Sequence, residues 1–205
     1  MDYQEFRKVF FESVCFTSNQ VLAWQPGFHR NNLSRWVQKG LLTKLRNNFY
    51  SFPEYGNDLD YVQYVANRIY RPSYISLHTA LAFYGLIPEA IPQITSVSTL
   101  KTAHFENPFG SYTYKTIKPE VMFGYDPKPI SKGLNILLAQ PEKALLDLLY
   151  LYPFYNTKQE IEALRLEMDF MEDYLDVEKL KESAARFKNK KLESRANLLL
   201  KTYNL

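Results

Sequence analysis

Gly40 separates two kinds of hydrophobic periodicity in the first quarter of the chain, and this switch constrains the fold more than any other feature. Before it, Phe6, Val9, Phe10, Ser13 and Val14 fall at i, i+3, i+4, i+7 and i+8, the spacing of one stripe along a helix over residues 3–16. Thr17 and Ser18 offer an N-cap for a second short helix reaching Trp24, since a hydroxyl oxygen accepts an otherwise unpaired amide of the first turn. Gln25-Pro26-Gly27 interrupts that helix, and a third over residues 28–39 stops at Gly40, a residue suited to the left-handed turn that ends helices. After Gly40 the period becomes that of a strand. Residues 41–46 and 49–52 are β-prone runs separated by Asn47-Asn48, which tolerate the positive φ angles of a two-residue hairpin. Helices followed by a hairpin in this order predict a winged helix-turn-helix over residues 1–54.

The stretch 53–58, Pro-Glu-Tyr-Gly-Asn-Asp, has linker composition. Beyond it, residues 55–205 read as a larger α+β segment with a helical C-terminal tail. Helices are expected at 58–69 and 73–84, and strands at 93–100, 101–105, 111–118, 121–123 and 135–139. Pro141 suits the first turn of a helix running to residue 152, and Thr157 with Glu160 fits a capping box opening the tail. The fold class is therefore α+β.

Hydrophobic residues make up 46% and charged residues 23% of the 205, which argues against a disordered chain. The 14 Phe, 16 Tyr and 2 Trp point to a core filled by large rings. Cys15 stands alone and His29, His78 and His104 are scattered, so neither a disulfide nor a zinc site is expected and a reducing cytoplasm is the expected location. No apolar run approaches the roughly 20 residues that span a bilayer, so no membrane partner is expected. Net charge is only +3, yet residues 1–52 hold seven basic and three acidic side chains while the remainder is nearly balanced. A polyanion would meet its excess of positive charge there. A second basic run, residues 186–191, reads as a solvated helix face.

Advancing about 100° per residue along the third helix places Leu33, Trp36 and Val37 on a core face. Asn31, Arg35 and Gln38 then project from the opposite face, with Asn32 and Ser34 on its flanks. Arg can donate two hydrogen bonds to guanine, and Asn or Gln can pair with adenine. Arg30 is placed for phosphate, and His29 reads as structural. In the hairpin, Lys44 and Arg46 alternate with Thr43 and Leu45 and so share a face, and the Asn47-Asn48 tip is slim enough for a minor groove. Amides at the start of the second helix, with the Thr17 and Ser18 hydroxyls, could hold another phosphate. The expected partner is double-stranded DNA, bound at paired half-sites.

Catalytic patterns are weaker. Asp126-Pro127-Lys128, with Glu106 or Glu120 upstream, superficially matches part of a nuclease metal site, but a proline opposes the strand such a site occupies. Asp58-Leu59-Asp60 is better explained by helix capping. No enzyme activity and no cofactor are expected.

Three stretches carry a family resemblance: residues 39–50 (KGLLTKLRNNFY), 74–86 (YISLHTALAFYGL) and 139–149 (AQPEKALLDLL). In that order the chain resembles the AbiEi antitoxin family, the transcriptional-regulator half of bacterial abortive-infection (type IV) toxin-antitoxin pairs, over most of residues 5–155. The resemblance implies an N-terminal winged helix that represses its own operon and a C-terminal domain that counteracts a nucleotidyltransferase-like toxin. Within the third stretch, Pro141, Glu142, Lys143 and Asp147 read as a helix start and a capping or ion-pair network. The alternative function is a protein-interaction module that sequesters a partner protein without specific DNA binding.

Overall fold

Phe6 organises the first 52 residues. In the computed structural model, which describes residues 2–88 and 93–205, its fully buried ring meets Phe10, Phe16, Phe28, Trp36 and Phe52 at centroid distances of 4.9, 5.4, 6.1, 4.7 and 6.2 Å. Rings bury much apolar area per residue, so six of them suffice to close a small core. Around this cluster lie α1 (Tyr3–Phe10), β1 (Cys15–Thr17), α2 (Ser18–Trp24), α3 (Asn31–Gln38), β2 (Thr43–Arg46) and β3 (Phe49–Ser51). The three strands form an antiparallel sheet in the order β1-β3-β2.

The helix expected over residues 3–16 ends at Phe10. A 3-10 turn follows over Phe11–Ser13, and Val14 then takes φ +58°, its carbonyl accepting the Ser51 hydroxyl at 2.5 Å. Val14 and Phe10 are buried as the stripe requires, but Val9 is 45% exposed. What replaces the last turn is β1, whose register against β3 pairs Cys15 with Ser51, Phe16 with Tyr50 and Thr17 with Phe49. Helical spacing cannot reveal such long-range pairing. Gly40 does close the third helix region at φ +69°. At the hairpin tip only Asn48 has positive φ, +66°, and a β-bulge interrupts the β2-β3 register between Lys44 and Arg46.

The stretch with linker composition is packed. Pro53–Asn57 forms a 3-10 turn, the buried Tyr55 hydroxyl donates to the Phe11 carbonyl at 2.7 Å, and a Cβ added to Gly56 would lie 2.6 Å from the Phe109 ring. Next come α4 (Leu59–Ile69), β4 (Ser73–Ile75), α5 (Leu77–Phe83), β5 (Gln93–Ser98), β6 (Ala103–Asn107), β7 (Gly110–Thr116), β8 (Tyr125–Pro129) and β9 (Asn135–Ala139). Helices α6 (Pro141–Leu151), α7 (Lys158–Glu162), α8 (Met168–Tyr174), α9 (Val177–Arg186) and α10 (Lys190–Thr202) complete the chain.

The six strands form one mixed sheet in the order β6-β7-β5-β4-β9-β8. Register assigns its faces: Ile75, Ser96 and Tyr114 are in line across β4, β5 and β7, and the Tyr114 hydroxyl donates to the α4 carbonyl of Ala66 at 2.7 Å. Tyr74, one residue from Ile75, points to the other face and donates to Asp147 on α6 at 2.9 Å. Thus α4 and α6 cover opposite faces.

The helix expected at 73–84 is corrected: its first three residues are β4, in the middle of the sheet, and only 77–83 is helical. Such a short central strand has no room for alternation to show. The strand expected at 121–123 is also corrected, since residues 119–121 form a 3-10 turn and the strand is β8, carrying two prolines. An edge strand tolerates proline because its outward amides need no partner. The helix opened by Pro141 and the Thr157–Glu160 capping box stand as expected. Among the described residues no helix is long and apolar enough to cross a membrane.

Candidate nucleic-acid interface

Leu33 and Trp36 anchor α3, at 1% and 8% exposure, and Val37 is half-buried beside them. With that side fixed, the 3.6-residue period turns Asn31, Ser34, Arg35 and Gln38 into solvent, while Asn32 is half-buried. Arg30 directly precedes the helix and is exposed, its Nη2 donating to Asn19 Oδ1 on α2 at 3.3 Å. That bond ties the start of α3 to α2, a link with no sequence signal. His29, expected to be structural, is instead exposed, as is Lys39 at the other end of the helix.

The hairpin divides the expected phosphate ligands. Burial alternates along β2, with Thr43 and Leu45 inside and Lys44 exposed, so Lys44 is available to solvent. Arg46 is half-buried and committed elsewhere: its Nη1 donates to the Ile69 carbonyl at 2.6 Å, and its guanidinium lies 4.5 Å from the Phe105 ring centroid and 5.2 Å from that of Tyr70. The expectation that Arg46 works with Lys44 on phosphate is corrected, because docking of the hairpin against β6 captures the side chain. The Asn107 amide completes that dock by donating to the Leu45 carbonyl at 3.1 Å.

Asn47 and Asn48 are exposed at the tip, but Asn48 also faces the start of α2. Its carbonyl accepts the Ser18 amide at 3.0 Å and its Oδ1 accepts the Ser18 hydroxyl at 3.2 Å. Thr17 Oγ1 accepts the Gln20 amide at 3.2 Å, and Gln20 Oε1 accepts the Thr17 amide at 2.7 Å. These bonds form a capping box at the α2 start, where an N-cap was expected. Ser18 is buried as well. The hydroxyls expected to take a phosphate already have partners within the protein: Thr17 caps α2, and Ser18 ties α2 to the hairpin tip.

The acidic motifs resolve into structural roles. Asp58 caps α4 through the Asp60 amide at 2.9 Å, and Asp60 Oδ2 accepts the Ser131 hydroxyl at 2.8 Å. Asp126 lies on β8 and accepts from Gln140 at 2.6 Å. Lys143 and Asp147 form a buried ion pair one turn apart on α6, and Asp147 also accepts from the hydroxyls of Tyr74 and Ser76. Burial pushes the Asp147 carboxyl up and the Lys143 ammonium down, and each partner opposes the other's shift. Glu142 Oε1 accepts the Asp176 amide at 3.0 Å, and its Oε2 lies 3.0 Å from Lys179 Nζ, joining α6 to α9. Among the described residues no group of three or more His, Cys, Asp or Glu could hold a metal ion. Neither a protein-family model nor a curated protein matches this chain.

Proposed function

We propose that residues 1–54 act as a winged helix-turn-helix and that the protein is a DNA-binding transcriptional regulator. The observation that carries this reading is the two-sided α3: Leu33 and Trp36 are buried, while Asn31, Ser34, Arg35 and Gln38 face solvent together, and Lys44 of the hairpin is exposed as well. The element order and the sheet order β1-β3-β2 are compatible with it. In this reading Asn31 and Arg35 contact base edges, Ser34 and Gln38 flank them, and Arg30 and Lys44 hold phosphates. A module this small covers a short site, so two copies bind paired half-sites. The resemblance described above extends the proposal to an autorepressing antitoxin of an abortive-infection operon, with residues 55–205 meeting a nucleotidyltransferase-like toxin.

Operator binding by single-substitution variants tests the DNA reading. Arg35→Ala is expected to cost about 1–3 kcal/mol and to relax preference at one base pair. Lys44→Ala is expected to weaken all sequences alike and to shallow the log-log salt dependence by about 1. Equal effects of both substitutions on preference and on salt dependence would refute these assignments.

A further inference from the structure

A basic cavity of 630 Å³ lies far from α3 in sequence, between the 3-10 turn at Pro119–Val121 and the junction of α9 with α10. Lys118, Arg186, Lys188, Lys190 and Lys191 line it against a single acid, Glu120, and Tyr150 and Phe187 contribute its aromatic surface. None of the five cations has an ion-pair partner among the described residues. In the sequence, residues 186–191 read as a solvated face, because Lys118 reaches them only through folding.

Arg186 is more than a mobile surface charge. Its guanidinium lies 3.6 Å from the Phe123 ring centroid, and such stacking orients the planar fork while leaving its edge donors open. Behind it, the buried Lys143 ammonium lies 5.2 Å from the same ring and 4.8 Å from that of Phe187. Lys143 is held low first by burial and, to a lesser degree, by the nearby positive charge of Arg186. An anion in front of Arg186 would relieve this like-charge crowding. The amino end of α10, a 13-residue helix, adds its partial positive charge to the same region.

We propose that this cavity binds a small ligand carrying a polyphosphate chain, either a nucleoside triphosphate or a free inorganic polyphosphate. Its volume lies in the range of small-molecule sites. Arg and Lys together match adjacent phosphates, Arg through its paired donors and Lys as a point charge. The five cations line one concavity, which suits a compact ligand better than a duplex, whose phosphates need an extended track.

Calorimetric titration of the full chain with ATP and with tripolyphosphate tests the site, alongside Arg186→Gln/Lys191→Gln. Both substituted side chains are exposed, so the fold should survive; a Tm rise in wild-type protein with added tripolyphosphate is the second readout. Saturable binding, weakened roughly tenfold or more in the double variant as loss of charge-assisted hydrogen bonds implies, is the expected result. Tighter binding of ATP assigns the nucleoside form, and equal affinities assign the chain alone. The proposal is overturned if neither probe binds, if binding is unchanged in the double variant, or if only a short DNA duplex binds and loses affinity in that variant.

Discussion

At the scale of single residues, Cys15 shows how burial alone sets chemistry. The lone thiol is almost completely covered, and desolvation pushes its pKa from 9.0 up to about 12, with Arg68 and Arg71 opposing weakly. Because the folded-state value is raised, the folded protein holds this proton more tightly than the unfolded chain does. The associated stability is fully present below pH 9.0 and is lost as pH rises towards about 12. Each unit corresponds to about 1.4 kcal/mol. Denaturant unfolding of wild type and Cys15→Ala should therefore show the wild-type advantage shrinking by about 2 kcal/mol between pH 8 and pH 10.5. A constant difference across that interval would mean that the thiol is reachable by water. Cys15 was legible in the sequence only as a residue with no partner for a disulfide.

At the scale of elements, α2 was the most legible and α1 the least. The N-cap expected at Thr17 and Ser18 forms at Thr17, and the Gln20 side chain closes it into a capping box with both bonds. Replacing Thr17 by Ala is expected to cost about 1 kcal/mol in equilibrium unfolding, with Thr17→Ser retaining most of the cap. Equal stability of the two variants would show that the cap contributes nothing. In α1 the stripe was read too far, because Val14 continues the helical spacing while its backbone has already turned towards β1. Similarly, residues 73–75 read as helix because they lead into one without a breaker, whereas pairing of β4 with β5 and β9 makes them a strand. In α3 the outward set Asn31, Ser34, Arg35 and Gln38 was fully legible, since one buried face of a helix dictates the other.

At the scale of the molecule, the seam between the hairpin and the large sheet decides what each basic residue can do. Lys44 and Arg46 are two positions apart in one strand, yet only Lys44 is left in solvent. Arg46 ties the hairpin to Ile69, Tyr70 and Phe105. Arg46→Ala is thus expected to destabilise the protein by about 1.5–3 kcal/mol, the range for a hydrogen bond involving a charged group, and to leave the salt dependence of DNA binding unchanged. Thermal unfolding together with binding at two salt concentrations checks this; a shallower salt slope at unchanged stability would return Arg46 to a phosphate-binding role.

By itself, the amino-acid sequence determined the α+β class, the capped helix starts, the hairpin and the direction of the α3 side chains, because each follows from contacts between near neighbours in the chain. Only the tertiary structure decided that Arg46 and Ser18 are spoken for, that the first helix ends at Phe10, and that Lys118 joins Arg186 and the following lysines around one cavity. Those outcomes depend on which distant surfaces meet, and local periodicity carries no information about partners tens of residues away.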